Sequence, residues 1–210
     1  MKVGFFLQGD REDYFAMARR MLSSVRAAMP GVEVYHLTDE ATKGVEGVDG
    51  VRCFQGAMPM AVRRMLHHAA CEGEWLFIDC DVIVQKDVRD VFDDKSFEVA
   101  VTDRDGTITN ESKYAQVMPY NIGVVFSRSQ DFWMSIVHHM RGLPEKFQQW
   151  EGDQRLVCEM LRQGKHPFKV KVLPGYTYNY PPKHAEDGAH ASILHYKGAR
   201  KAYLLAKEDA

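Results

Sequence analysis

Residues 75–84 read WLFIDCDVIV, and the fold is decided by how that stretch is read. Trp75–Ile78 is a short apolar run with no polar alternation, as expected of a strand buried on both faces of a sheet. The strand delivers Asp79 and Asp81 at its exit. Residues two apart on an extended chain point the same way, so the two carboxylates converge. Converging carboxylates repel unless a cation sits between them. Mg²⁺ or Mn²⁺ suits such a place, because it takes oxygen ligands and shares itself with substrate phosphates. Two solvated turn residues would carry the same letters, and Asp-x-Asp alone does not decide between the readings. The apolar run in front favours the site, because it buries the strand and fixes the direction of the carboxylates.

Outward from this strand, the first half of the chain alternates. Lys2–Leu7 is a short apolar run and predicts a strand. Asp13–Met29 places Phe15, Ala18, Met21, Leu22 and Val25 at helical spacing, and Pro30-Gly31 stops it. Val32–Leu37 and Val51–Phe54 predict strands, and Met58–Cys71 a helix. The order β-α-β-β-α-β implies an α/β fold with a mostly parallel central sheet flanked by helices. Ligands of such sheets bind beyond the carboxyl ends of the strands. Gln8–Asp13, Thr38-Asp39 and Asp79–Asp81 all follow strands, which makes Gln8 and Asp39 candidate ligand-binding residues.

The second half is less regular. Phe97–Val101, Ile122–Phe126 and Lys169–Leu173 predict strands, and Phe132–Met140 and Asp153–Gln163 predict helices. Thr102–Pro119 is a long polar stretch, expected to act as a moving lid. Within it, Asp103 and Asp105 read as sugar contacts or as a polar turn. The alternating tyrosines Tyr176, Tyr178 and Tyr180 read as a sugar-binding wall or a plain strand.

Composition bounds the function. The chain has 210 residues, 45% of them apolar and 27% charged, which are the values of a globular domain. The formal net charge of −2 disfavours a sequence-independent nucleic-acid binder, which needs a basic excess. No apolar run approaches the ~20 residues that span a bilayer, and MKVGFFLQGD reads as a core strand rather than a signal peptide. The cysteines Cys53, Cys71, Cys80 and Cys158 form no CxxC pair and read as reduced thiols of a cytoplasmic protein.

The last chemical block is His195-Tyr196-Lys197-Gly198-Ala199-Arg200-Lys201-Ala202-Tyr203. A histidine follows an apolar run, and a glycine three residues on permits close backbone approach or positive φ. Two cations come next. Imidazole ligates Mn²⁺, and Lys and Arg partner phosphates, although a basic surface tail would read the same way. The pairs His67-His68 and His138-His139 sit in helical stretches with no HExxH, and read as ordinary histidines.

These blocks together resemble a known family. FIDCDVIV resembles the Asp-x-Asp strand of GT-A-fold glycosyltransferases, and His195–Tyr203 is similar to the HxxGxxKPW signature of glycosyltransferase family 8. Tyr120–Val125 resembles that family's FNxGVxL segment, Asp153-Gln154 its DQ pair, and Tyr178-Asn179-Tyr180 the aromatic-Asn-aromatic stretch that follows. The matches run in family order from Val3 to about Tyr203. Ala202 and Tyr203 depart from the family's Pro and Trp.

The resemblance implies a single glycosyltransferase domain over residues 1–210, moving a hexose from a nucleotide sugar to a sugar-containing or hydroxyl acceptor with retention. It implies that Asp79, Asp81 and His195 bind Mn²⁺ or Mg²⁺. Lys201 and Gly198 would meet the donor phosphates, and Tyr14 the base, uracil by analogy with a UDP-sugar. Arg63, or its neighbour Arg64, would contact the donor, and Asn121, Asp153 and Gln154 would face the transferred sugar.

Three rival readings compete. A haloacid-dehalogenase-like phosphatase also places Asp-x-Asp after an apolar strand. Its motif lies near the N-terminus, however, whereas here Val82-Ile83-Val84 continues the strand in mid-chain. The others are a non-catalytic nucleotide-sugar-binding module, disfavoured by the intact Asp79, Asp81 and His195, and a transferase acting on modified nucleic acid, disfavoured by the charge.

Overall fold

The computed structural model describes residues 1–104, 116–184 and 187–206. The first strand, β1 (Lys2–Phe6), is followed by α1 (Glu12–Ala28), β2 (Glu33–Asp39), β3 (Gly50–Phe54), α2 (Met60–Ala69) and β4 (Trp75–Ile78). Then come β5 (Val82–Val84), β6 (Val99–Asp103), β7 (Tyr120–Ser127), α3 (Gln130–Arg141) and α4 (Gly152–Gln163). The chain continues through β8 (Val170–Leu173), α5 (Gly175–Tyr178), β9 (Ile193–His195) and α6 (Lys201–Ala206).

Seven strands form one sheet in the order β3-β2-β1-β4-β7-β6-β8. β1 pairs in parallel with β2 and β4, β2 with β3, and β6 with β8. β7 alone is reversed, pairing antiparallel with both β4 and β6. The expected mostly parallel α/β sheet is therefore what forms.

Alternation along the central strands fills both faces. Val3, Phe5, Leu76, Ile78, Val124 and Phe126 face one core cluster, which α1 covers with Phe15, Ala18, Met21, Leu22 and Val25. Trp75, Phe77, Ile122 and Val125 face the other, covered by α2 and α3 through Val62, Met65, Phe132, Trp133 and Ile136. Each large side chain so buried stabilises the fold by about 1.5–3 kcal/mol before entropy is counted. α3 starts where Ser129 Oγ accepts from Phe132 N–H at 3.1 Å, an ordinary N-cap.

Two sequence expectations change. Val82–Val84 does not continue β4. The chain turns at Cys80-Asp81 and leaves the sheet, and β5 pairs antiparallel with β9 in a separate two-stranded ribbon. The ribbon lies against α1, with Val84 N–H donating to Ser24 Oγ at 3.0 Å. Residues 176–180 are not a strand either. Pro174 opens the single turn α5, which puts Tyr178 edge-on to Phe126 and leaves Tyr176 stacked on His190. Most of the expected lid, including Asp105, lies outside the described residues. Asp103 is described, and its Oδ1 accepts from Gly175 N–H at 2.6 Å.

Candidate active site

Asp79 follows the last residue of β4, and its N–H donates to Gly123 O on β7 at 2.9 Å. The turn at Cys80-Asp81 brings the second carboxylate round, and the β5–β9 ribbon brings the imidazole. Register does this directly: Val82 pairs with His195, and Tyr196 N–H donates to Asp81 O at 2.9 Å. His195 Nε2 stands 3.1 Å from Asp81 Oδ1 and 3.5 Å from Asp79 Oδ2. One ligand atom from each of Asp79, Asp81 and His195 lies within 4.8 Å of the others.

A buried chain of amides sets which face of the imidazole points inward. Gly123 N–H donates to Asn121 Oδ1 at 2.9 Å, so the Asn121 NH₂ must face Gln154 Oε1, also at 2.9 Å. Asn179 Nδ2 then donates to Asn121 Oδ1 at 2.8 Å and to Thr102 Oγ1 at 2.6 Å. That leaves Asn179 Oδ1 to accept from His195 Nδ1–H at 2.8 Å. A backbone N–H therefore dictates, through two amides, that neutral His195 carries its proton on Nδ1. The Nε2 lone pair faces the two carboxylates, a mismatch that a cation relieves.

Charge is balanced by residues around this centre. Arg64 Nε donates to Asp153 Oδ2 at 2.6 Å, and Arg64 Nη1 to Asp79 Oδ1 at 3.3 Å. Lys201 Nζ lies 3.2 Å from both Asp81 Oδ2 and Tyr14 OH. Burial would raise the Asp81 carboxyl, but Lys201, joined by His195 when the imidazole is protonated, outweighs it and holds it at about 2. Asp79 goes the other way: burial raises it despite Arg64 and His195. Burial also pushes His195 below the usual histidine value, so it is neutral near pH 7. Lys197, on the same wall, is pushed down to about 7 by burial and by Arg104.

The donor set suits a divalent cation: carboxylate oxygens and one imidazole nitrogen fit Mn²⁺, and oxygen-rich sites fit Mg²⁺. Gly123 is the matching cradle. A Cβ there would collide with the His195 imidazole and stand 2.6 Å from Asp79 Oδ2 and 2.9 Å from Asn121 Oδ1. The group lies in a cleft of about 550 Å³, a size that holds a small organic ligand.

Residues 15–198 match the family described as Nucleotide-diphospho-sugar transferase. The chain belongs to that family. Among solved structures, the transferase is similar to a glycosyltransferase involved in glycosylation of the major capsid of PBCV-1. That likeness has 16% identity and a TM-score of 0.64, covering 99% of this chain and 100% of the other. The galactosyltransferase LgtC, solved with donor and acceptor sugar analogs, has 15% identity and a TM-score of 0.60, covering 95% and 88%. GlyE of Streptococcus pneumoniae TIGR4 has 16% identity and a TM-score of 0.65, covering 98% of this chain and 61% of that one. These likenesses show that the α/β sheet is a GT-A-like fold. Comparison with curated proteins gave no match.

The cleft of the transferase brings together Gln8, Tyr14, Asp79, Asp81, Asn121, Asp153, Gln154, His195, Gly198 and Lys201. Gln8 Oε1 is a buried polar atom with no hydrogen-bond partner among the described residues. Gly198 has φ +58°, the left-handed backbone that a glycine there permits. Two expected donor contacts are not on this wall. Asp39 is buried at the end of β2, where Oδ1 accepts from Thr42 N–H at 2.9 Å. Arg63 turns its guanidinium to the carbonyls of Phe54 and Gly56, and Arg64 takes the cleft position instead. Adjacent helix residues point about 100° apart, so only one of the pair can face the cleft.

Asn121, Asp153 and Gln154 line the cleft, but hydrogen bonds and the Arg64 ion pair engage their polar atoms with one another. Sequence reasoning gave no role to Asn179, Lys197 or Trp150. Asn179 sat within the aromatic-Asn-aromatic stretch, which was the available signal for it. No helix among the described residues is long and apolar enough to cross a membrane.

Proposed function

We propose that the transferase moves a hexose from a UDP-sugar to a hydroxyl-bearing acceptor, with retention at the anomeric carbon. The observation that carries this reading is the convergence of Asp79, Asp81 and His195 at the exit of β4, flanked by Lys201 and Arg64. Asp79, Asp81 and His195 would hold Mn²⁺ or Mg²⁺, which supplies Lewis acidity toward the departing diphosphate. Lys201 adds a cation beside the phosphates, and the Gly198 backbone permits close approach there. Gln8 and Tyr14, which follow β1, take the nucleoside end. Asn121, Asp153 and Gln154, on β7 and α4, take the sugar end, with Arg64 rather than Arg63 bridging Asp153 to Asp79. The resemblance to glycosyltransferase family 8 supports uracil and retention. The four cysteines, all free of disulfides, support a cytoplasmic setting.

A thermal-shift screen of nucleotide sugars with and without Mn²⁺ tests the reading, because a ligand of the folded state alone raises its stability by mass action. A UDP-sugar should raise Tm, more so with Mn²⁺. No shift for any UDP-sugar at millimolar concentration, with metal present, rejects the donor assignment.

A further inference from the structure

Trp150 lies at the cleft with 66% of its surface exposed, whereas Trp75 and Trp133 are buried. Leaving an indole in water forgoes the stabilisation that burial of a large apolar side chain brings. The loop that holds it is nonetheless firmly built. Ala61 N–H, at the start of α2, donates to Gln148 O at 3.3 Å, and Gln148 Nε2 donates to Leu143 O at 2.7 Å. Phe147 N–H donates to Pro144 O at 2.8 Å, and Gly152 N–H to Gln149 O at 3.0 Å.

The next two residues have no freedom to relax. Glu151 holds φ +67°, the one positive φ outside glycine among the described residues. A Cβ at Gly152 would overlap the Phe147 carbonyl. Strained backbone of this kind destabilises the fold and collects at ligand-binding sites. An exposed indole and a strained turn therefore coincide, immediately before α4 and its Asp153 and Gln154.

Topology says which end of the cleft this is. Gln8, Arg11 and Tyr14 follow β1, on one side of β4. Arg104 follows β6 and Asn121 lies on β7, on the other side. Trp150 and Glu151 line the cleft just before α4, whose Gln154 bonds Asn121. Trp150 thus stands next to Asp153 and Gln154, to which the proposed function gives the donor sugar, and an acceptor must meet that sugar's anomeric carbon.

We propose that Trp150 is the stacking platform for a pyranose ring of the acceptor, so that the acceptor is a carbohydrate. The inference rests on the transferase reading above. A pyranose has one face of C–H groups that lies flat against the electron-rich face of an indole, while its equatorial hydroxyls stay free for polar partners. Glu151 and Arg104 supply an acceptor and a donor on the same wall. In the transfer, the acceptor hydroxyl oxygen forms a bond to the anomeric carbon. The bond from that carbon to the diphosphate oxygen breaks, its electron pair leaves on UDP, and the hydroxyl proton is released.

Because Trp150 is the exposed one of three tryptophans, acrylamide quenching of fluorescence reports on it selectively. The protein with Mn²⁺ and UDP is titrated with lactose, maltose, cellobiose and chitobiose, and transfer from a UDP-sugar to each is measured. At least one disaccharide should shield Trp150 from acrylamide and serve as acceptor. Trp150→Ala should then raise that acceptor's KM about tenfold with a smaller change in kcat, and Trp150→Phe should restore most of the loss. UDP affinity is the internal reference. If UDP fails to bind, the UDP-donor reading falls and takes this one with it. If UDP binds but no disaccharide shields Trp150, or transfer goes only to a peptide or lipid hydroxyl, the platform alone is overturned. An unchanged acceptor KM in Trp150→Ala overturns it as well.

Discussion

Asn179 Oδ1 accepts the Nδ1–H of His195 at 2.8 Å, and so turns the imidazole's other nitrogen toward Asp79 and Asp81. An outer partner of this kind orients a ligand and raises its basicity, and its loss costs about 10–100-fold in metal affinity. Asn179→Leu should weaken Mn²⁺ binding by about that factor, read by titration calorimetry. Asn179→Asp, which keeps an acceptor at Nδ1, should lose less. Equal affinities for wild type and Asn179→Leu refute the role.

Asp79→Asn and Asp81→Asn should each lower kcat/KM by about a hundredfold or more, since each removes a carboxylate that would hold the metal. Stability should respond unequally. Asp79→Asn removes a carboxyl already raised by burial, whereas Asp81→Asn removes the carboxylate that is held at about 2 and that Lys201 pairs with. Melting of the metal-free variants should therefore show Asp81→Asn as the less stable.

Gly123→Ala should cost about 1–3 kcal/mol in denaturant unfolding, because the new methyl meets the His195 ring and Asp79. Mn²⁺ affinity should fall further than stability does. A variant that binds Mn²⁺ as wild type would show that the three side chains do not close on one ion.

Arg63 and Arg64 should separate stability from activity. Arg63→Ala leaves the Phe54 and Gly56 carbonyls without their guanidinium partner and should cost about 1–3 kcal/mol, read in urea. Arg64→Ala should chiefly lower turnover, since Arg64 alone of the two touches Asp79 and Asp153. Loss of turnover in Arg63→Ala with no loss of stability would reverse the assignment.

Acid should weaken the fold through its buried histidines. Burial pushes His67 down to about 4, lowers His36, and holds His68 well below its usual value. The unfolded chain takes up protons at these positions below about 6.5 and the folded chain does not, so protons favour unfolding. Their contribution is fully present above about pH 6.5 and is lost as pH falls through each folded value, about 4 for His67. The slope reaches about 1.4 kcal/mol per pH unit for each such group. Urea midpoints at pH 7.5, 6 and 5 check this, with His67→Gln expected to flatten the curve.

Much of the molecule was legible because long-range burial left local marks. The apolar runs of β1 and β4 and the helical spacing of α1 carry their own signal, and Asp79 and Asp81 follow directly from β4. What was not legible depends on contacts across the chain. The turn at Cys80-Asp81 has no glycine or proline to announce it, so Val82–Val84 read as more of β4 until β9 was there to pair with it. Choosing Arg64 over Arg63 needs helix phase to one residue, which the packing of α2 sets. Asp39 ends a strand much as Gln8 follows one, yet it is buried, bonds Thr42 locally and does not line the cleft. Trp150 looked like any aromatic in a loop, and only its exposure at the cleft distinguishes it.

The ribbon of β5 and β9 also carries a consequence for biogenesis. Asp79 and Asp81 leave the ribosome more than a hundred residues before His195, and β5 has no strand partner but β9 among the described residues. Contacts so far apart in sequence form late, after loop closure has been met. A nascent chain therefore displays a pair of carboxylates without their imidazole until translation is nearly done. A product cut between residues 173 and 195 keeps all seven strands of the sheet yet lacks the imidazole that would complete the Asp79, Asp81 and His195 group.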